Sequence, residues 1–307
     1  MDAPEEHVIR WGDGYETWCQ LWPSHSEATG LPVVVLHGGP GSTHDYLRDL
    51  RRLCASGRDV VLYDQIGNGN STRLPDRSGD ADLWSPPLFV DELEHVIDHF
   101  GYDRTGYHLL GQSWGGMLGI EWGIEQRAGL ASLILSNSPS SMVTWSQEAT
   151  RLRELMPASV RDTLDRHESA GTTDADEYGA ATIEFYRRHF CRLDPWPQDF
   201  QRSLDLCDED PTVYQTMVGP TEFHIVGSLS RWDRDDDLHL IDVPVLVLHG
   251  EHDEATDLVV AACRQKIRDV HYVKVAGASH SPHLEQPDVT FDAFESFLAR
   301  HDRGSVR

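Results

Sequence analysis

The apolar run at residues 107–110 passes directly into Gly111-Gln112-Ser113-Trp114-Gly115 and then into a helix-like segment at residues 114–126. A buried strand, a sharp turn and a helix in immediate succession belong to few architectures, all of them α/β. The G-x-S-x-G spacing at such a junction lifts a serine hydroxyl clear of the backbone. Glycines are needed on either side because a Cβ there would collide with the neighbouring strand or helix. Taken alone, the pentapeptide also fits a glycine-rich strand-to-helix turn with no chemistry attached. Its partners decide, and they must come from elsewhere in the chain.

The remaining apolar segments set the architecture. Residues 33–36, 60–63, 133–135 and 243–248 are short and rich in β-branched side chains, as strands covered on both faces are. Helical patterns intervene at about 87–100, 114–126 and 258–268, and residues 270–275 and 288–300 supply a last strand and a last helix. This alternation predicts an α/β fold with a mainly parallel, doubly wound sheet. Ahead of it, residues 7–11 and 15–22, joined by Gly12-Asp13-Gly14, predict a β-hairpin.

Between about residues 140 and 240 the rhythm stops. The sequence turns charged and helical at 147–156, 159–167, 174–189 and 197–207. Because the sheet pattern resumes at Val243, the expected organisation is a core of residues 1–139 and 241–307 with a helical cap, residues 140–240, inserted into it. An unrelated domain in tandem would not explain the resumption.

Charge narrows the possible partners. Lys and Arg number 26 against 51 Asp and Glu, giving a net charge of -25. Such a surface repels phosphate backbones and anionic lipid, so neither nucleic acid nor membrane is expected as a partner. Only Lys266 and Lys274 are lysines, a bias that fits a GC-rich genome and salt adaptation equally. Cys19, Cys54, Cys191, Cys207 and Cys263 are odd in number and widely spaced, which predicts neither a disulfide framework nor a zinc cluster. With an acidic first segment and no apolar run long enough to span a bilayer, the chain is expected in the cytoplasm. No heptad or patterned interface helix sets an oligomeric state.

A serine at such an elbow needs a base and an orienting acid, in the chain order Ser, Asp or Glu, His. After residues 243–248 comes His249-Gly250-Glu251-His252-Asp253-Glu254, which puts Asp253 in the loop at a strand's carboxyl end. After the next strand comes Gly277-Ala278-Ser279-His280. The expected triad is Ser113, Asp253 and His280, with Glu251 and Asp257 as rival acids and His283 as a rival base. The oxyanion of a tetrahedral intermediate also needs donors, and losing one typically costs about 10²- to 10³-fold in rate. His37-Gly38-Gly39-Pro40-Gly41 follows the first long strand, so the backbone N–H groups of Gly39 and Trp114 are the expected pair. No metal and no organic cofactor is implied.

These segments are joined by His44-Asp45-Tyr46-Leu47, Tyr63-Asp64-Gln65 with Gly67-Asn68-Gly69-Asn70-Ser71, Gly219-Pro220-Thr221-Glu222-Phe223, and Gly227-Ser228-Leu229 with Trp232-Asp233. Together they resemble the prolyl iminopeptidase group of α/β-hydrolases, which includes the tricorn-interacting aminopeptidases and amino-acid amide hydrolases. The resemblance runs from about Gly12 to the end of the chain. It implies an α/β-hydrolase fold with a helical cap that carries the Gly-Pro-x-Glu-Phe segment. It also implies that the glutamates at Glu222 and Glu254 bind the free α-amino group of the substrate. An α-amine, with a pKa of about 8, is protonated at neutral pH, and a carboxylate about 4 Å away gains roughly 4 kcal/mol at an effective dielectric of 20 before desolvation costs.

The implied activity is that of a serine aminopeptidase or amino-acid amidase. Its substrate would be a small peptide, an amino-acid amide or an aminoacylated small molecule such as a natural-product amine. A carboxylesterase or lipase-like hydrolase without amine recognition is the alternative, and a silent hydrolase fold used for binding is a third. Dehalogenase and epoxide hydrolase relatives use Asp where this chain has Ser113. Trp114 stands where the family commonly has tyrosine, which is expected to reshape the adjacent pocket and leaves proline preference open. Trp145, Tyr186, Trp196, Tyr214 and Phe223 are candidate pocket walls in the cap.

Overall fold

Residues 3–25 and 28–302 are described in a computed structural model of the chain. The apolar runs form one eight-stranded sheet: β1 (Glu5–Trp11), β2 (Tyr15–Trp22), β3 (Val33–Leu36), β4 (Val60–Tyr63), β5 (Tyr107–Gln112), β6 (Leu130–Ser136), β7 (Val245–Gly250) and β8 (Val270–Val275). The spatial order is β1-β2-β4-β3-β5-β6-β7-β8. β1 and β2 form the expected hairpin, closing at the pair Trp11 and Tyr15, and β2 runs antiparallel to β4. From β4 to β8 every pairing is parallel.

Such a sheet needs cover on both faces. On one face the helices Pro86–Phe100 and Trp114–Ile124 bring in Phe89, Leu93, Ile97, Met117 and Leu118. On the other, the 3₁₀ segment Asp45–Ser56 and the helix Pro287–His301 supply Leu47, Leu50, Leu53, Phe294 and Leu298. Chain order reverses at β3, which lies between β4 and β5. Crevices for ligands open at the carboxyl ends of strands at such a switch point, and the loops after β3 and β5 carry Gly39 and Ser113.

Between β6 and β7 lie the helices Met142–Glu154, Ala158–Ala170, Asp176–His189, Gln198–Glu209 and Thr212–Met217, with no strand of the sheet among them. The first begins five residues before the sequence pattern suggests, because the Ser141 side chain accepts the Thr144 N–H and caps it there. The last is too short for periodicity to reveal. The helix Ala261–Lys266 is shorter than the expected 258–268, its predicted start at Leu258 lying exposed in a turn. Among the described residues, no helix is long and apolar enough to cross a membrane.

The end of the helix Pro287–His301 is held by an ion pair with a buried arginine. Arg58, 1 % exposed, donates to both carboxylate oxygens of Asp302 at 2.9 and 3.1 Å. Burial alone would raise the Asp302 carboxyl, but His108 and Arg58 outweigh it and hold it at about 2. Stability from this carboxylate is therefore present above the unfolded carboxyl range and lost as pH falls through about 4 toward 2. Asp302→Ala leaves the Arg58 charge buried without a partner, so a loss of about 3 kcal/mol is expected in urea unfolding at pH 7. A loss below about 1 kcal/mol would contradict the pairing.

Candidate active site

Ser113 sits between β5 and the helix Trp114–Ile124 with φ 54° and ψ -120°, a conformation L residues rarely adopt. Surrounding bonds impose it: the Ser113 N–H donates to the Ser136 carbonyl at 2.9 Å, and the Ser113 carbonyl accepts the Gly116 N–H at 2.9 Å. A Cβ on Gly111 would run into the Gly115 backbone, and one on Gly115 into the Leu36 carbonyl of β3. The turn thus needs its glycines for close approach. Ser113 is 8 % exposed and lines a cavity of about 370 Å³ together with His280.

His280 and Asp253 meet between the loops after β8 and β7. The His280 Nδ1–H donates to Asp253 Oδ1 at 2.7 Å. That bond leaves Nε2 as an acceptor, and this atom is buried with no partner among the described residues. The ring stacks on Phe190 at 5.5 Å and meets the Trp145 indole edge-on at 5.8 Å. Asp253 is saturated with donors: Asn137 Nδ2 at 2.5 Å and the N–H groups of Gly250 and Ala255 at 3.2 and 2.8 Å. Burial pushes its carboxyl up, but His280 and these bonds outweigh burial and hold it below the ordinary carboxylate range.

The rival groups lie elsewhere. His283 Nε2 is bonded to the Tyr46 carbonyl and burial lowers it to about 4. Glu251 accepts the Gly277 N–H, and Asp257 pairs with Lys274 at 2.7 Å. Asn137 escaped the sequence reading. Its signal is a polar residue just past β6, held at φ 58° with its N–H on the Leu248 carbonyl.

Gly39, in the loop after β3, lines the cavity with Ser113, and Trp114 follows Ser113 as the first residue of its helix. Gly39 has φ 108°, and a Cβ there would strike the Gly41 N–H, so the loop requires glycine. Among the described residues no acceptor is bonded to the Gly39 N–H or to the Trp114 N–H, which opens its helix. Gly38 donates to the Tyr46 hydroxyl at 2.8 Å, Tyr46 donates to Gln112 Oε1 at 2.5 Å, and Gln112 Nε2 donates to the His280 carbonyl at 3.1 Å. The expectation that the Trp114 side chain reshapes the pocket is corrected. Its indole is 1 % exposed, turns away to donate to Gln65 Oε1 at 2.8 Å, packs edge-on to Phe89 and is absent from the cavity wall.

Glu222 lies within the insertion between β6 and β7 and Glu254 in the loop after β7, yet the charge of one acts on the other. Glu222 follows the helix Thr212–Met217 and is 8 % exposed. Its Oε1 accepts the Tyr214 hydroxyl at 2.8 Å, its N–H donates to the Tyr186 hydroxyl, and its carbonyl accepts the Trp145 indole N–H at 2.7 Å. Glu254, adjacent to Asp253, is 1 % exposed, and neither carboxyl oxygen has a partner among the described residues. Burial raises both carboxyls, and the charge of Glu222 raises Glu254 further. Of the candidate aromatic walls, Tyr186, Trp196 and Tyr214 line the cavity, whereas Trp145 and Phe223 pack behind it. Phe190, Phe200 and Leu204 add apolar surface.

The profile of the α/β-hydrolase fold matches residues 32–287. Proline iminopeptidase from Lactobacillus delbrueckii subsp. lactis is 34% identical over 276 residues, 89% of this chain and 90% of that protein. The chain belongs to the proline iminopeptidase family of α/β-hydrolases. Among solved structures, the proline iminopeptidase of Mycobacterium smegmatis superimposes with a TM-score of 0.90 at 47% identity, over 97% of this chain and 99% of that one. VinJ superimposes with a TM-score of 0.94 at 44% identity, over 98% of this chain and 100% of that one. In this iminopeptidase-family chain the elbow, the loops after β3 and β8 and the helical segment line one cavity.

Proposed function

We propose that the chain is a serine hydrolase that removes an aminoacyl residue bearing a free α-amine, working as an aminopeptidase or amino-acid amidase. One observation carries the reading: a fully buried carboxyl, Glu254, with both oxygens unpaired, beside a second carboxyl, Glu222, next to the cavity that holds Ser113. A buried carboxyl of this kind ionises readily only beside a cationic partner, and a substrate ammonium is one. The names of the iminopeptidase relatives point the same way. An N-blocked substrate would leave the two carboxyls without that partner.

In this mechanism Ser113 Oγ attacks the carbonyl carbon while His280 Nε2 takes its proton, and Asp253 stabilises the imidazolium that forms. The Gly39 and Trp114 N–H groups hold the oxyanion. Collapse breaks the C–N bond, and His280 returns the proton to the departing amine. Water, deprotonated by His280, then attacks the acyl-enzyme, and its collapse frees the amino acid and restores Ser113. The departing amine is a peptide, ammonia or a larger natural-product amine, and the helices Asp176–His189 and Gln198–Glu209 wall the space it occupies. The net charge of -25 argues against a nucleic-acid partner.

Parallel assays of an aminoacyl p-nitroanilide and a short p-nitrophenyl acyl ester separate this reading from a simple esterase. Glu222→Gln is expected to lower kcat/KM on the anilide by about 30-fold, the worth of one hydrogen bond to a charged group, and to leave the ester within about threefold. Equal losses on both substrates, or none on either, would refute amine recognition.

A further inference from the structure

We infer that Gln65 is the positioning residue that holds the two oxyanion donors, Gly39 and Trp114, in register; this rests on the reading that those two N–H groups bind the oxyanion. Gln65 lies just past β4 and is fully buried, away from the cavity wall. Three of its groups are committed, each to one of the two loops. Its N–H donates to His37 Nε2 at 2.9 Å, and its Nε2 donates to the His37 carbonyl at 2.9 Å. Its Oε1 accepts the Trp114 indole N–H at 2.8 Å.

The first bond dictates the state of His37. An imidazole that accepts at Nε2 carries its proton on Nδ1, and that proton is donated to the Gly38 carbonyl at 2.9 Å. Burial lowers His37 to about 4, so the ring stays neutral and the tautomer holds throughout the working range. The Gly38 carbonyl belongs to the same peptide unit as the Gly39 N–H. Fixing the carbonyl fixes the plane of that N–H, and a bond accepted at C=O polarises the peptide and strengthens its N–H as a donor.

On the other loop, Gln65 Oε1 anchors the Trp114 side chain and thereby the first turn whose N–H faces the same oxygen. One residue, through its backbone N–H and its side chain, therefore spans both donors from outside the cavity wall. The tryptophan matters to this arrangement through its indole N–H.

Gln65→Leu keeps the size and the backbone N–H but loses both side-chain bonds. After active sites are counted by fluorophosphonate labelling, kcat on an aminoacyl p-nitroanilide is expected to fall about 10- to 100-fold with KM within about threefold. The inhibition constants of boroalanine and boroproline, whose tetrahedral adducts on Ser113 place an oxygen at the oxyanion position, are expected to rise by the same factor. Trp114→Phe removes only the indole donor and keeps the backbone N–H. It is expected to cost about 3- to 10-fold in kcat, and the double variant is expected to be no worse than Gln65→Leu, because the two changes break one connection. Trp114→Phe tests the same link should the Leu variant fail to fold.

Wild-type boronate affinity no tighter than KM would defeat the oxyanion reading itself. Tight wild-type boronate binding that is unchanged in both variants would defeat only the role of Gln65. A fall in kcat matched by a rise in KM, with boronate affinity unchanged, would mark Gln65 as structural and overturn the inference.

Discussion

Ser113→Ala is expected to reduce turnover of an aminoacyl p-nitroanilide by about 10⁴- to 10⁶-fold and to abolish fluorophosphonate labelling. The variant removes one oxygen and nothing else. Among the described residues Ser113 Oγ has no hydrogen-bond partner to lose, and the backbone of the turn is held by the Ser136 and Gly116 bonds, which alanine keeps. The melting temperature should therefore stay within about 2 °C of wild type, and the residual rate is what the oxyanion donors and substrate positioning give without a nucleophile. Asp253→Asn should follow with a loss of about 10⁴-fold, because an amide at that position no longer fixes the His280 proton on Nδ1. Retention of more than about 1% of wild-type kcat by Ser113→Ala, once contamination is excluded by labelling, would remove the serine mechanism.

The features that placed these groups were legible because they are local. A mostly apolar run ending in Gly111-Gln112-Ser113 states a strand and a turn within seven residues, and the loops after β7 and β8 read in the same way. What was not legible depends on contacts between distant segments. Asn137, Gln65 and Tyr46 are ordinary polar residues in sequence, and their importance comes from reaching Asp253, His37 and Gly38 across 116, 28 and 8 positions. Asn137 and Gln65 do sit just beyond a strand's carboxyl end, where a buried polar side chain has a reason to exist, whereas Tyr46 lies in the 3₁₀ segment further on.

The segment Asp45–Ser56 was missed for a different reason. Tyr46, Leu47, Leu50, Leu53 and Cys54 form a buried stripe, but Asp45, Arg48, Asp49, Arg51 and Arg52 fill the gaps and mask it. Trp114 misleads in sequence because a bulky side chain next to the elbow serine suggests a pocket wall. Only the position of Gln65 and Phe89 shows that the indole has a partner behind the site.

Glu254→Gln should separate function from stability, making the protein more heat-resistant while disabling it. Burial and the Glu222 charge raise the Glu254 carboxyl well above its ordinary value of 4.5. A group that binds its proton more tightly in the folded state contributes stability that is fully present below the unfolded pKa and lost as pH rises through the folded one. Each tenfold rise in proton affinity corresponds to about 1.4 kcal/mol. Glutamine copies the protonated form and cannot ionise. The melting temperature of Glu254→Gln should thus match wild type near pH 4.5 and exceed it by about 2 °C or more at pH 8.

Activity should move the other way. An arriving ammonium replaces the proton held by the carboxyl pair, so wild-type affinity for a free-amine substrate should strengthen as pH rises through the titration of the pair. It should weaken again above about pH 8, where the α-amine loses its charge. In Glu254→Gln one of the two charges that meet the ammonium is gone, and kcat/KM on the anilide should fall about 100-fold, with the rising limb of the pH profile moved toward lower pH. A variant that is less stable than wild type at pH 8, or that keeps its activity there, would show that Glu254 already has a partner in the free protein and that the amine site lies elsewhere. Higher stability with lost activity would identify a carboxyl kept unpaired in the fold for the substrate to complete.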